Sequence, residues 1–112
     1  LSNAIWRLPL NGGPMDRRAG LFIQMSGGLG PDGMALDTDG NMAVAHARAG
    51  TVWLFDPIGE PVARVRSCAG LTTTNIAYGG ADGKTLYITE SQTGSILTAE
   101  MPVPGRPMYS HM

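Results

Sequence analysis

Short apolar runs alternate with turn residues along the whole chain, and no long segment repeats its apolar positions at helical spacing. The pattern predicts strands over residues 4–8, 20–25, 33–37, 42–46, 51–55, 62–66, 75–79, 85–89 and 95–99. Asp39-Gly40 and Asp82-Gly83 each lie between two apolar runs. That arrangement is the strongest short-range hairpin signal, because Gly takes the positive φ that a tight hairpin turn demands. Asp56-Pro57-Ile58-Gly59 is a further turn, with Pro presetting φ at one turn position.

The strands recur in a fixed order. Pro31-Asp32-Gly33-Met34-Ala35-Leu36-Asp37, Asp39-Gly40-Asn41 and Gly50-Thr51-Val52 are echoed by Thr74-Asn75-Ile76-Ala77-Tyr78-Gly79, Asp82-Gly83-Lys84 and Gly94-Ser95-Ile96. Asp32 and Asn75 are 43 positions apart, as are Gly40 and Gly83. The segment Asn3-Ala4-Ile5-Trp6-Arg7-Leu8 matches the Gly50 piece again, one period earlier. A period in the low forties built from short strands is the mark of β-propeller blades. The expected fold class is therefore all-β, with antiparallel four-stranded blades and a partial ring of about two blades. Residues 1–28 would supply the outer strands of an incomplete blade, 29–70 a complete blade, 71–100 three strands of a further blade, and 101–112 an extended Pro-rich tail.

A partial ring leaves apolar flanks uncovered. If Val44, Val52, Leu54, Ile88 and Leu97 lay on those flanks, each would forfeit about 1.5–3 kcal/mol of burial. The expected partners are accordingly the missing blades or further copies of the same chain.

Composition narrows the function. With 8 Lys+Arg against 9 Asp+Glu, the net charge is −1, which provides no basic surface for nucleic acid or anionic membrane. No run of 18 apolar residues is present to span a bilayer. Cys68 is the single cysteine and has no internal thiol to pair with, which favours a reducing, cytoplasmic setting. No signal peptide is visible at the start.

The residues resemble the SMP-30/gluconolactonase family. The resemblance is carried by Gly30-Pro31-Asp32-Gly33-Met34-Ala35-Leu36-Asp37, Gly50-Thr51-Val52, Phe55-Asp56-Pro57 and Thr74-Asn75-Ile76-Ala77-Tyr78-Gly79-Gly80, with Lys84-Thr85-Leu86-Tyr87-Ile88-Thr89 after it. It covers roughly residues 30–100 and implies the C-terminal blades of a six-bladed propeller. It also implies one divalent cation on the central axis, Ca²⁺ first with Zn²⁺ or Mg²⁺ as alternatives, and hydrolysis of a small sugar-lactone-like substrate. The resemblance makes Asp32 a metal ligand and candidate general base. The remaining ligands belong to segments absent from this sequence, so the cation is expected only in a completed ring.

Residue chemistry leaves alternatives open. Asp32 suits a hard cation, or else caps a turn with its carboxylate on backbone N–H groups. Asn75, its counterpart, either lines the substrate channel or forms an Asx turn. His46, Arg48 and Glu90 are placed in loops at the same end, lining the pocket, with His46 a candidate proton shuttle. The competing readings are a surface histidine and a solvated acid. Asp37, Asp39 and Asp56 read as turn formers at the opposite end. A propeller segment acting only as an oligomerising scaffold or binding module remains the alternative function.

Overall fold

The computed structural model describes residues 3–10 and 19–107. Nine strands form among them: β1 (Ala4–Arg7), β2 (Gly20–Gln24), β3 (Gly30–Leu36), β4 (Met42–Ala47), β5 (Thr51–Phe55), β6 (Pro61–Arg66), β7 (Thr73–Gly79), β8 (Thr85–Glu90) and β9 (Ser95–Glu100). They make three antiparallel sheets, ordered β1-β2, β3-β4-β5-β6 and β7-β8-β9. This is the all-β, partial-propeller architecture that the repeat predicts. Among the described residues no helix is long and apolar enough to cross a membrane.

The turns follow from backbone chemistry. Gly40 and Gly83, one period apart, have φ of 83° and 73°, a region that costs a residue with a Cβ. The turns between the second and third strands of the repeat use Gly50 at φ 59° and Gly94 at φ 71°, and Asn3, their counterpart before β1, adopts φ 54°. Asn tolerates this region better than other residues with a side chain.

The two central strands of the middle sheet are buried on both faces, which is why β4 and β5 show no polar alternation. Ala43, Ala45, Val52 and Leu54 face the third sheet, where Ile76, Leu86, Ile88 and Met101 complete one core. Val44 and Phe55 face the other way and meet Ile5, Ile23 and Met25 in a second core. Successive strand residues thus serve opposite cores, as a period of two requires.

This corrects the expected list of stranded apolar residues. Val44, Val52, Leu54 and Ile88 are buried within the chain itself. The apolar side chains left to solvent on the outer sheets are others: Trp6 and Leu21 on the first, Tyr87 and Ile96 on the third.

Residues 101–107 do not trail away. The Met101 N–H donates to the Lys84 carbonyl at 2.8 Å, and the Gly105 N–H donates to Gly83 at 3.0 Å. The Arg106 N–H reaches the Leu36 carbonyl at 2.8 Å, and Gly105 bridges Asp37. The tail therefore ties the far end of β3 to the third sheet. Gly105 is pressed on Tyr78 so closely that a Cβ would lie 2.2 Å from the Tyr78 Cβ. Residues 108–112 of the predicted tail lie outside the described residues.

Candidate functional site

The inner strands of two neighbouring sheets, β3 and β7, both carry an irregularity at their first residues. On β3 the ladder runs from Pro31↔His46 to Met34↔Val44, so Asp32 and Gly33 oppose a single residue of β4. On β7 it runs from Thr73↔Glu90 to Asn75↔Thr89, leaving Thr74 as the extra residue. A bulge of this kind lifts side chains out of the ladder and re-aims them, which is why bulges recur beside active sites. Pro31 helps by bringing no N–H to the ladder. Gly33 lets the strands close up, since a Cβ there would sit 2.1 Å from Asn75 Oδ1 and 2.8 Å from Asn75 Cα. The contact between the two inner strands therefore sets Asn75 against Gly33, the residue next to Asp32.

Asp32 is exposed, and its carboxylate accepts no hydrogen bond among the described residues. The turn-capping alternative is overturned by comparison with the true turn acids. Asp37 Oδ1 accepts from the N–H groups of Asp39 and Asn41, both at 2.9 Å, and its Oδ2 accepts from Asn41 Nδ2 at 2.8 Å. Asp56 Oδ1 accepts from Ile58 and Glu60 N–H at 3.0 and 2.9 Å. Those two acids do cap the far-side turns, Asp39 is a donor within the first of them, and Asp32 does nothing of the kind. Asn75 is exposed, and its Oδ1 accepts the Ile76 N–H at 2.9 Å.

The other expected pocket residues part company. Arg48 is exposed in the β4–β5 turn with φ 66°, at the same end as Asp32. His46 is a strand residue, not a loop residue, and it is buried. Its Nδ1 accepts the Trp53 Nε1–H at 3.2 Å, and its Nε2 lies 2.8 Å from the Gly27 carbonyl. The tautomer with hydrogen on Nε2 satisfies both contacts. With both ring nitrogens held, the imidazole is a brace for the Gly27–Gly30 approach to Asp32 rather than a proton shuttle.

Glu90 is corrected more sharply. It is neither solvated nor pocket-lining, being only 1% exposed. Its carboxylate accepts from the N–H groups of Gly70 (3.2 Å), Thr72 (3.1 Å), Gln92 (2.7 Å) and Thr93 (2.9 Å), and from the Thr93 hydroxyl at 2.5 Å. The Thr93 hydroxyl is the largest cause of a pKa pulled down to about 2; burial opposes it, and the backbone donors add to it. Gly70 is required beside this acid, because a Cβ would lie 2.6 Å from both carboxylate oxygens. Sequence reasoning also missed Thr73, whose buried hydroxyl donates to the carbonyls of His46 (3.0 Å) and Thr51 (3.2 Å). The signal for Glu90 was present in the Glu-x-x-Thr spacing after the strand; nothing local marked Thr73.

A cavity of about 480 Å³ runs along the inner strands, lined by Met34, Asn75, Ala77, Tyr78, Gly105 and Arg106 among others. The Tyr78 hydroxyl is buried there without a partner among the described residues, and burial, aided by Asp37, pushes its pKa up to about 12. No group of three or more His, Cys, Asp or Glu side chains able to hold a metal occurs among the described residues. Asp32 thus offers an exposed, unengaged carboxylate on the bulge beside Gly33, whose strand contributes Met34 to the cavity wall.

The model of the SMP-30/Gluconolactonase/LRE-like family matches residues 1–92. The chain belongs to this family. Regucalcin of Danio rerio is 33% identical over a 91-residue alignment covering 74% of this chain and 28% of that protein. A calcium-binding regucalcin from Agrobacterium tumefaciens superposes with a TM-score of 0.78 at 27% identity, over 96% of this chain and 42% of its own. A luciferin-regenerating enzyme shares the fold, with a TM-score of 0.71 at 17% identity, over 92% of this chain and 39% of its own. The chain therefore spans less than half the length of each of these relatives.

Proposed function

We propose that this family member forms part of a divalent-metal-dependent lactonase, acting on a small sugar-lactone-like substrate, with Asp32 as the ligand and general base that it contributes. The carrying observation is that Asp32 stands on an inner-strand bulge, exposed and with no hydrogen bond among the described residues, while Asp37 and Asp56 spend their oxygens on turns. In this reading residues 29–70 are one complete blade, 71–100 three strands of the next, and 1–28 the outer strands of the one before.

The donor chemistry fits a hard cation in part. A carboxylate oxygen suits Ca²⁺, with Mg²⁺ or Zn²⁺ as the alternatives, and Ca²⁺ takes 6–8 oxygen ligands. One carboxylate cannot complete that shell, so further donors come from blades outside this chain or from other copies. When bound, the cation supplies Lewis-acid polarisation of the lactone carbonyl. An Asp32 oxygen takes the proton of the water that attacks the carbonyl carbon and hands it to the ring oxygen as the C–O bond breaks, giving the hydroxy acid and restoring the carboxylate. Asn75 lines the approach. His46, held by Trp53, fixes the Gly27 carbonyl and with it the segment that presents Asp32.

The exposed apolar side chains of the outer sheets, Trp6, Leu21, Tyr87 and Ile96, support ring completion by missing blades or by self-association. They also favour a second reading, a non-catalytic propeller scaffold, which the incomplete donor set among the described residues supports. The single cysteine, Cys68, is exposed and unpaired, in keeping with a cytoplasmic setting. Hydrolysis of a sugar lactone by the assembled protein, with and without added Ca²⁺, separates the two functions. The lactonase reading expects metal-dependent turnover that Asp32→Asn abolishes; turnover unchanged in Asp32→Asn, or none with any divalent cation, refutes it.

A further inference from the structure

A second hollow lies between the β1–β2 sheet and the outer half of the middle sheet. It is a cleft of about 270 Å³ lined by Met25, Ser26, His46, Trp53, Phe55 and Pro61 among others. Its named walls come from described residues of this chain, on β2, β4, β5 and β6 and the segment after β2. It does not depend on blades from elsewhere, unlike the site around Asp32. The rings of Trp53 and Phe55 stack along it, with centroids 6.3 Å apart and planes 29° apart. His46 brings no free nitrogen to this wall, because both its ring nitrogens already have partners.

Two polar groups stand beside this aromatic wall with no ion pair or hydrogen bond among the described residues. Arg64 pairs across the ladder with Trp53, so both side chains lie on one face of the sheet. The Arg64 guanidinium carbon is 5.6 Å from the centre of the Trp53 ring, and Arg64 makes no ion pair among the described residues. The Ser26 hydroxyl has no hydrogen bond among them either. No acidic side chain is part of the cleft wall.

We propose that this cleft binds a small planar aromatic carboxylate. The volume, about 270 Å³, is slightly below the roughly 300–1,000 Å³ of ligand pockets, so it suits a molecule of one ring. The ring packs on Trp53 and Phe55, where flat π-surfaces stack favourably. The carboxylate meets Arg64, the guanidinium that lies over the Trp53 ring and whose planar fork matches it.

The test is titration of the chain with benzoate, following the indole N–H resonances of its two tryptophans by NMR. The Trp53 signal shifts and saturates, and the Trp6 signal, on the exposed side of another sheet, does not. Arg64→Gln, an exposed substitution that leaves the fold intact, weakens benzoate binding about fivefold or more. Benzyl alcohol, which keeps the ring and lacks the charge, and cyclohexanecarboxylate, which keeps the charge and lacks the aromatic ring, both bind more weakly than benzoate. Parallel, unsaturated drift of both tryptophans overturns the proposal. So does undiminished binding by Arg64→Gln, or either control compound matching benzoate.

Discussion

Replacing Gly33 by alanine probes the contact that builds the candidate site. A Cβ at residue 33 would stand 2.8 Å from Asn75 Cα and 2.1 Å from Asn75 Oδ1. The side-chain oxygen can rotate away, but the Cα is backbone. Restoring an ordinary carbon contact of about 3.5 Å therefore requires β3 and β7 to separate by roughly 0.7 Å. Forced overpacking of this size costs about 1–3 kcal/mol. Gly20→Ala is the internal control, because nothing lies within 4 Å of a Cβ there and its φ is not positive. Alanine at an unstrained, unhindered position changes stability by less than about 1 kcal/mol, in the stabilising direction. Urea unfolding followed by tryptophan fluorescence should show a lower midpoint for Gly33→Ala with an unchanged slope, and no loss for Gly20→Ala. Equal midpoints for the two variants would show that β3 and β7 do not meet at Asn75, and the placing of Asn75 beside the Asp32-Gly33 bulge would go with them.

Three further outcomes follow from the packing. Glu90 has a folded pKa of about 2, below its ordinary value of 4.5, so its contribution is fully present above pH 4.5 and fades as pH falls toward 2. Acid unfolding of the parent chain should steepen across that window, and Glu90→Gln should flatten it; identical acid profiles would contradict the clamp. His46→Phe leaves the Gly27 carbonyl and the Trp53 N–H without their partner, so calorimetry should record a loss of about 1–3 kcal/mol. Leu86 is fully buried between Ile76, Ile88 and Met101, and Leu86→Ala should cost about 2–5 kcal/mol in denaturant titration.

Much of the fold was legible because its signals are local. Asp-Gly between apolar runs fixes a hairpin, and the recurrence of Gly40 at Gly83 and of Gly50 at Gly94 marks the blade period. Less visible was which apolar residues would end up bare: Val44 and Ile23 are far apart in sequence, and only the stacking of sheets joins them. The docking of residues 101–107 onto β3 was hidden for the same reason, since Gly105 earns its place from Tyr78 and not from its neighbours.

The candidate site was legible only in part. Asp32 could be singled out by its place before an inner strand, but its bulge depends on a ladder shift that no single residue announces. His46 and Glu90 were misjudged because polarity was taken to mean exposure. Glu90 is buried at little electrostatic penalty because four backbone donors and the Thr93 hydroxyl surround it, and those donors come from both the Gly70–Thr72 segment and its own turn. His46 is buried because Trp53 and Gly27, on either side of it in space, occupy both nitrogens.

The claim on which the functional account rests is that Asp32 delivers a carboxylate to a hard cation while the rest of the blade is indifferent to its charge. Calorimetric titration of Ca²⁺ into the assembled protein and its Asp32→Asn variant tests this directly. The account expects stoichiometric binding by the parent and at least about tenfold weaker binding by the variant, with both showing the same thermal unfolding before metal is added. Equal Ca²⁺ affinity in the two proteins would contradict it.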